Sequence, residues 1–194
     1  MANIFIVGLA HGVQTTSGGC SSSQKEQYRK FITDVIGQYH IDFVAEEWEP
    51  SNATRTIAQE LVEPPSRWQP IDLSTEEKKR LGVPQFVPSS PQPPASDDGD
   101  SRTQIVDGGF QTHIASDFVS VEWRTPQDAA RDQHMFDRVI EQSGNHRNIL
   151  VLCGFNHLTQ LAKKFRAAGT SVKESDSLIE VLYGTENVRV RFPL

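Results

Sequence analysis

The sequence predicts an α/β fold, mainly a parallel sheet flanked by helices. Two apolar runs rich in β-branched residues, 4–7 and 148–153, have the composition of strands that are buried on both faces, as in a parallel sheet. The first run is followed by apolar residues at helical spacing and then by another short apolar run, 41–45. This strand–helix–strand order favours parallel strands joined by right-handed crossovers.

Cap residues bound the elements of the first half of the chain. One of Ser21, Ser22 and Ser23 can cap the first helix, and Ser51 or Asn52 the second. In chain order we predict a strand over about 3–8, a helix to about 38, a strand over 41–45, a helix to about 61, a short strand over 68–73 and a helix over 74–81.

The second half of the chain begins with a long helix. Thr125 is its predicted cap, Pro126 takes the first helical position, and the apolar periodicity continues to about Gln142. The second apolar strand follows, then a helix over about 157–168 and a short strand over 171–173. The last residues, 178–192, fit two strands around a turn, and a short helix before one strand almost as well.

A proline-rich insertion, about 83–104, lies within a single domain that spans 1–194. The tract 89–100 contains only Ser, Pro, Gln, Ala, Asp and Gly. Such a tract buries too little apolar surface to order itself, so we predict a flexible surface insertion. A length of 194 residues suits one domain with a sizeable core.

Composition and charge exclude several classes of protein. The formal net charge is −6 and the longest basic run is Lys78-Lys79-Arg80, so we expect no nucleic-acid partner. No apolar stretch reaches membrane-spanning length and no signal peptide precedes the first strand, so we expect no membrane partner. Cys20 and Cys153 form neither a disulfide framework nor a zinc pattern, which predicts a cytoplasmic location.

Two Gly-x-x-His tetrapeptides are the strongest functional signal. Gly8-Leu9-Ala10-His11 and Gly154-Phe155-Asn156-His157 each follow an apolar strand. The glycine lets the backbone turn, and the histidine then lies just beyond the carboxyl end of its strand, at the edge where open α/β sheets bind ligands. We therefore expect His11 and His157 to share one cleft as catalytic residues.

An acidic pair, Glu46-Glu47, ends the second strand at the same edge. Because successive residues of an extended chain point to opposite sides, one carboxylate faces the cleft; Glu47 is favoured, and Glu46 stays a candidate. Arg131, in the long helix, can bind a carboxylate or an anionic substrate through two hydrogen bonds, or pair with a neighbouring aspartate at the surface. Trp48, beside the acidic pair, and His134, one turn after Arg131, are candidate substrate-binding residues.

These residue types support two kinds of chemistry. A carboxylate beside an imidazole orients the ring and stabilises its cation, while the imidazole takes a proton from water. Two imidazoles and one carboxylate, here His11, His157 and Glu47, also form a ligand set for a divalent metal ion with an open position. The sequence leaves both open, and it lacks the His-Glu-x-x-His spacing of helical zinc hydrolases.

The two motifs, the Glu-Glu pair and the helical arginine together resemble the TraB/PrgY-like superfamily, which includes the Tiki proteases, the ChaN-like haem-binding lipoproteins and the erythromycin esterases. The resemblance covers most of the chain apart from about 83–115. It implies a hydrolase-like α/β core whose site residues are His11, the acidic pair, Arg131 and His157. Within the superfamily, the esterases look like metal-free enzymes with a histidine-activated water, and the Tiki branch looks metal-dependent.

We therefore expect a hydrolase, esterase-like or metalloprotease-like, that acts on a small-molecule or peptide substrate. Arg131 and His157 would position the substrate or stabilise the negative charge that develops on it. The alternative is a non-catalytic module that holds a metal ion, a haem or a small anion on the same scaffold. A divalent metal cofactor fits both hypotheses, and a homo-oligomer is compatible with either.

Overall fold

Five parallel strands form the central sheet of the chain. The structure, a computed structural model, describes residues 2–9, 11–16, 21–83, 103–106, 110–113 and 126–175. The described elements in chain order are β1 (Asn3–Leu9), α1 (Ser22–Gln38), β2 (Phe43–Glu46), α2 (Ile57–Leu61), β3 (Trp68–Pro70), α3 (Thr75–Arg80), β4 (Thr103–Val106), β5 (Phe110–His113), α4 (Pro126–Gln142), β6 (Asn148–Gly154), α5 (Phe155–Ala167) and β7 (Ser171–Ser175). Short 3-10 turns lie at His11–Val13 and Pro65–Arg67.

The central sheet has the strand order β3-β2-β6-β1-β7, and every pairing in it is parallel. The predicted α/β fold is therefore confirmed. β1 and β6, which carry the two Gly-x-x-His motifs, are neighbours in the middle of the sheet, with Leu9 opposite Gly154. Both motifs consequently leave the sheet at the same level of the same edge.

Helices cover both faces of the sheet, because successive strand residues point to opposite sides. On one face, Phe5 and Val7 pack with the apolar side chains of α1 and α2. On the other face, Ile4 and Ile6 pack with those of α4 and α5. A strand buried on both sides has no polar face, which is why the two central strands are continuous apolar runs.

The crevice beyond the carboxyl ends of β1 and β6 is a topological switch point. From β1 the chain passes through α1, on one face, to β2; from β6 it passes through α5, on the other face, to β7. The connection from β1 passes β6 on one face and the connection from β6 passes β1 on the other, so the two run in opposite directions at the ends of these strands. Ligands of open α/β sheets bind at such a point.

Side-chain hydrogen bonds decide where the helices begin. α1 starts after Ser21, one of its three predicted caps, and α3 starts after Ser74; each helix has a complete capping box. The predicted caps of α2, Ser51 and Asn52, are wrong, since α2 starts after Thr56. Ser51 and Asn52 instead make hydrogen bonds within the preceding loop, a competing use of short polar side chains.

Two further differences concern the second half of the chain. α5 begins at Phe155, two residues earlier than predicted, so the first turn of the helix includes His157. β4 and β5 form a separate antiparallel pair, which the sequence pattern did not predict. The proline-rich tract 89–100, the Thr125 cap and the elements predicted over 178–192 lie outside the described residues. None of the described helices is long and apolar enough to cross a membrane.

Candidate functional site

The two Gly-x-x-His histidines lie at one site. His11 follows β1 in a 3-10 turn, and His157 lies in the first turn of α5 after β6. Their Nε2 atoms lie 3.6 Å and 3.5 Å from the same atom, Oε1 of Glu47. The structure therefore brings together two imidazoles and one carboxylate that are far apart in the sequence.

Glu47 is the buried centre of this site. Its main-chain N–H donates to the carbonyl of Leu152 at 2.7 Å, so it continues the β2–β6 pairing by one residue. Its side chain is only 2% exposed. Oε2 accepts from the main-chain N–H of Gly154 at 2.6 Å, and Oε1 accepts from the Arg131 guanidinium at 2.6 Å. Each carboxylate oxygen thus accepts a hydrogen bond, Oε2 from the backbone of β6 and Oε1 from a side chain of α4.

Glu46 points away from the imidazoles, as the alternation of strand side chains requires. Its Oε1 accepts a hydrogen bond from Gln14 Nε2 at 3.1 Å. Its Oε2 accepts from the Thr56 hydroxyl at 2.5 Å and from the Trp68 indole N–H at 2.8 Å. Of the acidic pair, it is therefore Glu47 that contacts both histidines.

Arg131 connects the centre of the site to Asp72. The guanidinium binds Asp72 through two parallel hydrogen bonds of 3.0 Å and 2.9 Å, and Glu47 through a third. Lys78 Nζ contacts the same Asp72 oxygen as Arg131 Nη2, at 2.7 Å, and also contacts Glu49 at 3.3 Å. Of the two predicted uses of Arg131, the structure shows the bidentate contact with a carboxylate.

The second ring nitrogen of each histidine also has a partner. His157 Nδ1 lies 2.5 Å from Oδ1 of Asp132, which is itself buried. His11 Nδ1 lies 2.6 Å from the side-chain oxygen of Gln14. Each ring is therefore held at Nδ1 and presents Nε2 to Glu47.

Burial and nearby charges shift the pKa values of Glu46, Glu47 and Asp72 in different directions. Burial raises the pKa of Glu47, but the charges of His157, His11 and Arg131 outweigh it and lower the pKa overall. The pKa of Asp72 is likewise lowered, since Arg131 and Lys78 overcome its burial. Burial dominates at Glu46 and raises its pKa from 4.5 to about 7, despite three hydrogen bonds that lower it.

The same ion pairs raise the pKa of the Arg131 guanidinium. Burial lowers the pKa of Arg131, but the charges of Glu47 and Asp72 raise it overall. Arg131 is thus a permanent positive charge, and it keeps both carboxylates ionised.

The two predicted substrate-binding residues lie at the periphery. Trp48 is half-buried and donates its indole N–H to the carbonyl of Thr54 at 3.1 Å. His134 is half-buried on α4 and lies near Glu77, whose pKa is lowered first by hydrogen bonds with Ser74 and also by this histidine. The described contacts do not link either residue to the imidazoles of His11 and His157.

Three contributors were not predicted from the sequence. Asp72 follows the carboxyl end of β3, so the reasoning that found the acidic pair on β2 applies to it equally. Asp132 adjoins Arg131 in α4, and Gln14 is three residues beyond His11. These two had no distinguishing pattern, because single polar residues in a helix or turn usually face solvent.

The centre fits an ion-paired carboxylate better than a metal ligand. No three His, Cys, Asp or Glu side chains in the described part of the chain form a group that could hold a metal ion. Within the predicted ligand set of His11, Glu47 and His157, the Glu47 oxygen between the rings already accepts from Arg131. A guanidinium 2.6 Å from this oxygen repels a divalent cation that would bind there.

Comparison with known proteins assigns the chain to no family. No family model matches the chain, and neither a curated protein nor a solved structure is detectably similar to it. The resemblance to the TraB/PrgY-like superfamily therefore stays a prediction based on the motifs and their order.

Proposed function

We propose that the protein is a hydrolase in which His11 activates a water molecule beside Glu47. The observation that carries this proposal is the convergence of His11 Nε2 and His157 Nε2 on one buried carboxylate oxygen at the switch point of the sheet. The His11 side chain is 51% exposed, so water and a substrate can reach it. Two imidazoles at one site can supply both the base and the acid of a hydrolytic reaction.

The surroundings of His11 suit a general base. Its Nδ1 contacts a neutral amide, and its side chain is 51% exposed. When Nε2 takes a proton from water, Glu47 at 3.6 Å stabilises the resulting imidazolium. Glu47 itself is a poor base, because both of its oxygens accept short hydrogen bonds and its pKa is lowered.

The surroundings of His157 suit a general acid. The ring is 5% exposed and lies between two carboxylates, Asp132 at 2.5 Å and Glu47 at 3.5 Å. Two negative charges favour the protonated ring, whose Nε2–H can then donate to the oxygen or leaving group on which charge develops. Two similar side chains in different environments thereby receive different roles.

Arg131 fits a positioning role in this mechanism. Its Nε and Nη2 atoms make three hydrogen bonds to Asp72 and Glu47, so these donors are already occupied. It would therefore hold Glu47 between the imidazoles instead of binding the substrate. The substrate class we propose is an ester or amide of a small molecule or peptide, with Trp48 and His134 as candidates for its contacts outside the reacting centre.

The test is the hydrolysis of a panel of esters, amides and phosphoesters by the wild type and by His11→Ala. Since His11 is half-exposed, its removal should leave the fold intact. General acid–base catalysis is worth about 10²- to 10⁴-fold, so the rate should fall by that factor. The matched control is His146→Ala, which removes an imidazole stacked on Phe43 at the other end of the sheet.

Turnover that persists in folded His11→Ala would contradict the proposal. So would a wild type that hydrolyses no member of the panel. Elemental analysis and an absorption spectrum of the same preparation address the alternative module: a stoichiometric metal ion or haem without hydrolysis would favour binding over catalysis.

A further inference from the structure

The side-chain amide of Gln14 links His11 to β2. The residue is completely buried, and its carbonyl oxygen lies 2.6 Å from His11 Nδ1. Its NH₂ group donates to Oε1 of Glu46 at 3.1 Å and to the main-chain carbonyl of Glu47 at 3.3 Å. One amide therefore contacts the proposed base and both members of the acidic pair.

The orientation of this amide follows from its partners. The oxygen and nitrogen of a glutamine side chain have similar shapes, so the hydrogen-bond network must distinguish them. The main-chain carbonyl of Glu47, 3.3 Å from the amide nitrogen, can only accept. A rotated amide would set its oxygen against this carbonyl oxygen, so the NH₂ group faces β2 and the oxygen faces His11.

This orientation determines where His11 carries its proton. The Gln14 oxygen can only accept, so a ring nitrogen 2.6 Å away must donate to it. A neutral imidazole has a single N–H, and with that N–H at Nδ1 the lone pair is at Nε2. Nε2 is the nitrogen that lies near Glu47.

We propose that Gln14 is a positioning residue that sets the tautomer of His11 and so leaves Nε2 free to accept a proton. Its importance for turnover rests on the proposed hydrolase function, whereas the tautomer itself does not. The backbone of Gln14 is held in place for this role, because its main-chain carbonyl accepts from the main-chain N–H of Ile57 at 2.7 Å. The two acceptors on the amide nitrogen also make the amide oxygen a stronger acceptor, since linked hydrogen bonds polarise one another.

The experiment measures the ring-nitrogen chemical shifts of ¹⁵N-histidine-labelled protein by NMR, with His11→Ala used to assign the His11 signals. In the wild type, neutral His11 should show a protonated Nδ1 and an unprotonated Nε2. Gln14→Met removes the acceptor and keeps a similar volume, so His11 should then populate the Nε2–H form. Gln133→Met, at an exposed position of α4, is the matched control and should leave the His11 signals unchanged.

A wild-type His11 that carries its proton on Nε2 would overturn the proposal without any variant, so the test does not depend on the folding of Gln14→Met. An unchanged tautomer in folded Gln14→Met would also overturn it. If the panel contains a substrate, Gln14→Met should lower kcat by up to the roughly 10²- to 10⁴-fold that general acid–base catalysis is worth, with KM changed much less. An altered tautomer without wild-type turnover would support the assignment of Gln14 and contradict only the hydrolase function.

Discussion

Gly154 lies directly against the His11 imidazole: a methyl group on its Cα would come within 3.0 Å of Nε2 and 3.4 Å of Glu47 Oε2. The backbone of Gly154 has φ −63° and ψ 150°, which alanine adopts without strain. The second Gly-x-x-His motif therefore requires its glycine for space, so that the histidine of the first motif can approach Glu47.

The first prediction follows from this contact. Gly154→Ala should displace the half-exposed His11 ring and leave the melting temperature nearly unchanged. Because small displacements of a catalytic group are costly, we expect hydrolysis to fall by about tenfold or more. The control is Gly144→Ala, where an added methyl group meets nothing within 4 Å. Equal rates for the two variants would show that His11 does not need its present position.

The second prediction concerns the buried charge of Glu47. Glu47→Gln leaves the Arg131 guanidinium with Asp72 as its remaining carboxylate partner in the site. Breaking a buried ion pair typically costs about 3–5 kcal/mol, and we expect a loss near the lower limit because Asp72 is retained. Urea unfolding measures it. Glu60→Gln, which breaks the exposed pair with Arg29, should cost less than about 1 kcal/mol, and equal losses for both would contradict a buried role for Glu47.

The third prediction is a pH dependence of stability caused by Glu46. Its pKa is about 7 in the folded protein against 4.5 as its ordinary value, so between these limits the folded state binds more protons than the unfolded chain. The free energy of unfolding should therefore fall as pH rises, by about 3 kcal/mol in all from this group. Glu47 and Asp72, whose pKa values are lowered, act in the opposite sense, and their contribution is lost only in acid.

Comparison with Glu46→Gln isolates that contribution. The variant replaces one titrating carboxyl group by a neutral amide of similar shape and keeps all other titratable groups of the chain. The difference in unfolding free energy between wild type and variant should change by about 3 kcal/mol across this range, in favour of the wild type at low pH. Parallel profiles would mean that Glu46 has an ordinary pKa.

The fourth prediction tests the geometry of Arg131. Arg131→Lys keeps the charge but cannot make two parallel hydrogen bonds to Asp72 and a third to Glu47. We expect a loss of about 1–3 kcal/mol in the unfolding free energy and a lower rate of hydrolysis. Arg138→Lys, on the same helix, changes an exposed pair with Glu141 and should alter neither quantity. Equal stability of the two variants would contradict the positioning role of Arg131.

Patterns along the chain were sufficient to predict most of the fold. Continuous apolar runs predicted the buried parallel strands, and helical periodicity predicted α1, α4 and α5, because both signals depend on neighbouring residues. The cap of α2 was not predictable in this way. Ser51, Asn52 and Thr56 are all suitable caps by residue type, and the choice depends on where the start of α2 meets the turn after β1: the N–H of Ile57 donates to the Gln14 carbonyl.

By itself, the sequence determined that two histidines and an acidic pair end strands at one edge of a parallel sheet. Only the tertiary structure decided which partner each polar atom has: Arg131 and Gly154 for Glu47, Asp132 for His157, and Gln14 for His11. The physical reason is the distance along the chain over which each kind of information acts. Periodicity reports the direction of a side chain from its near neighbours, whereas a hydrogen bond across 84 or 107 positions of the chain depends on strand order and packing.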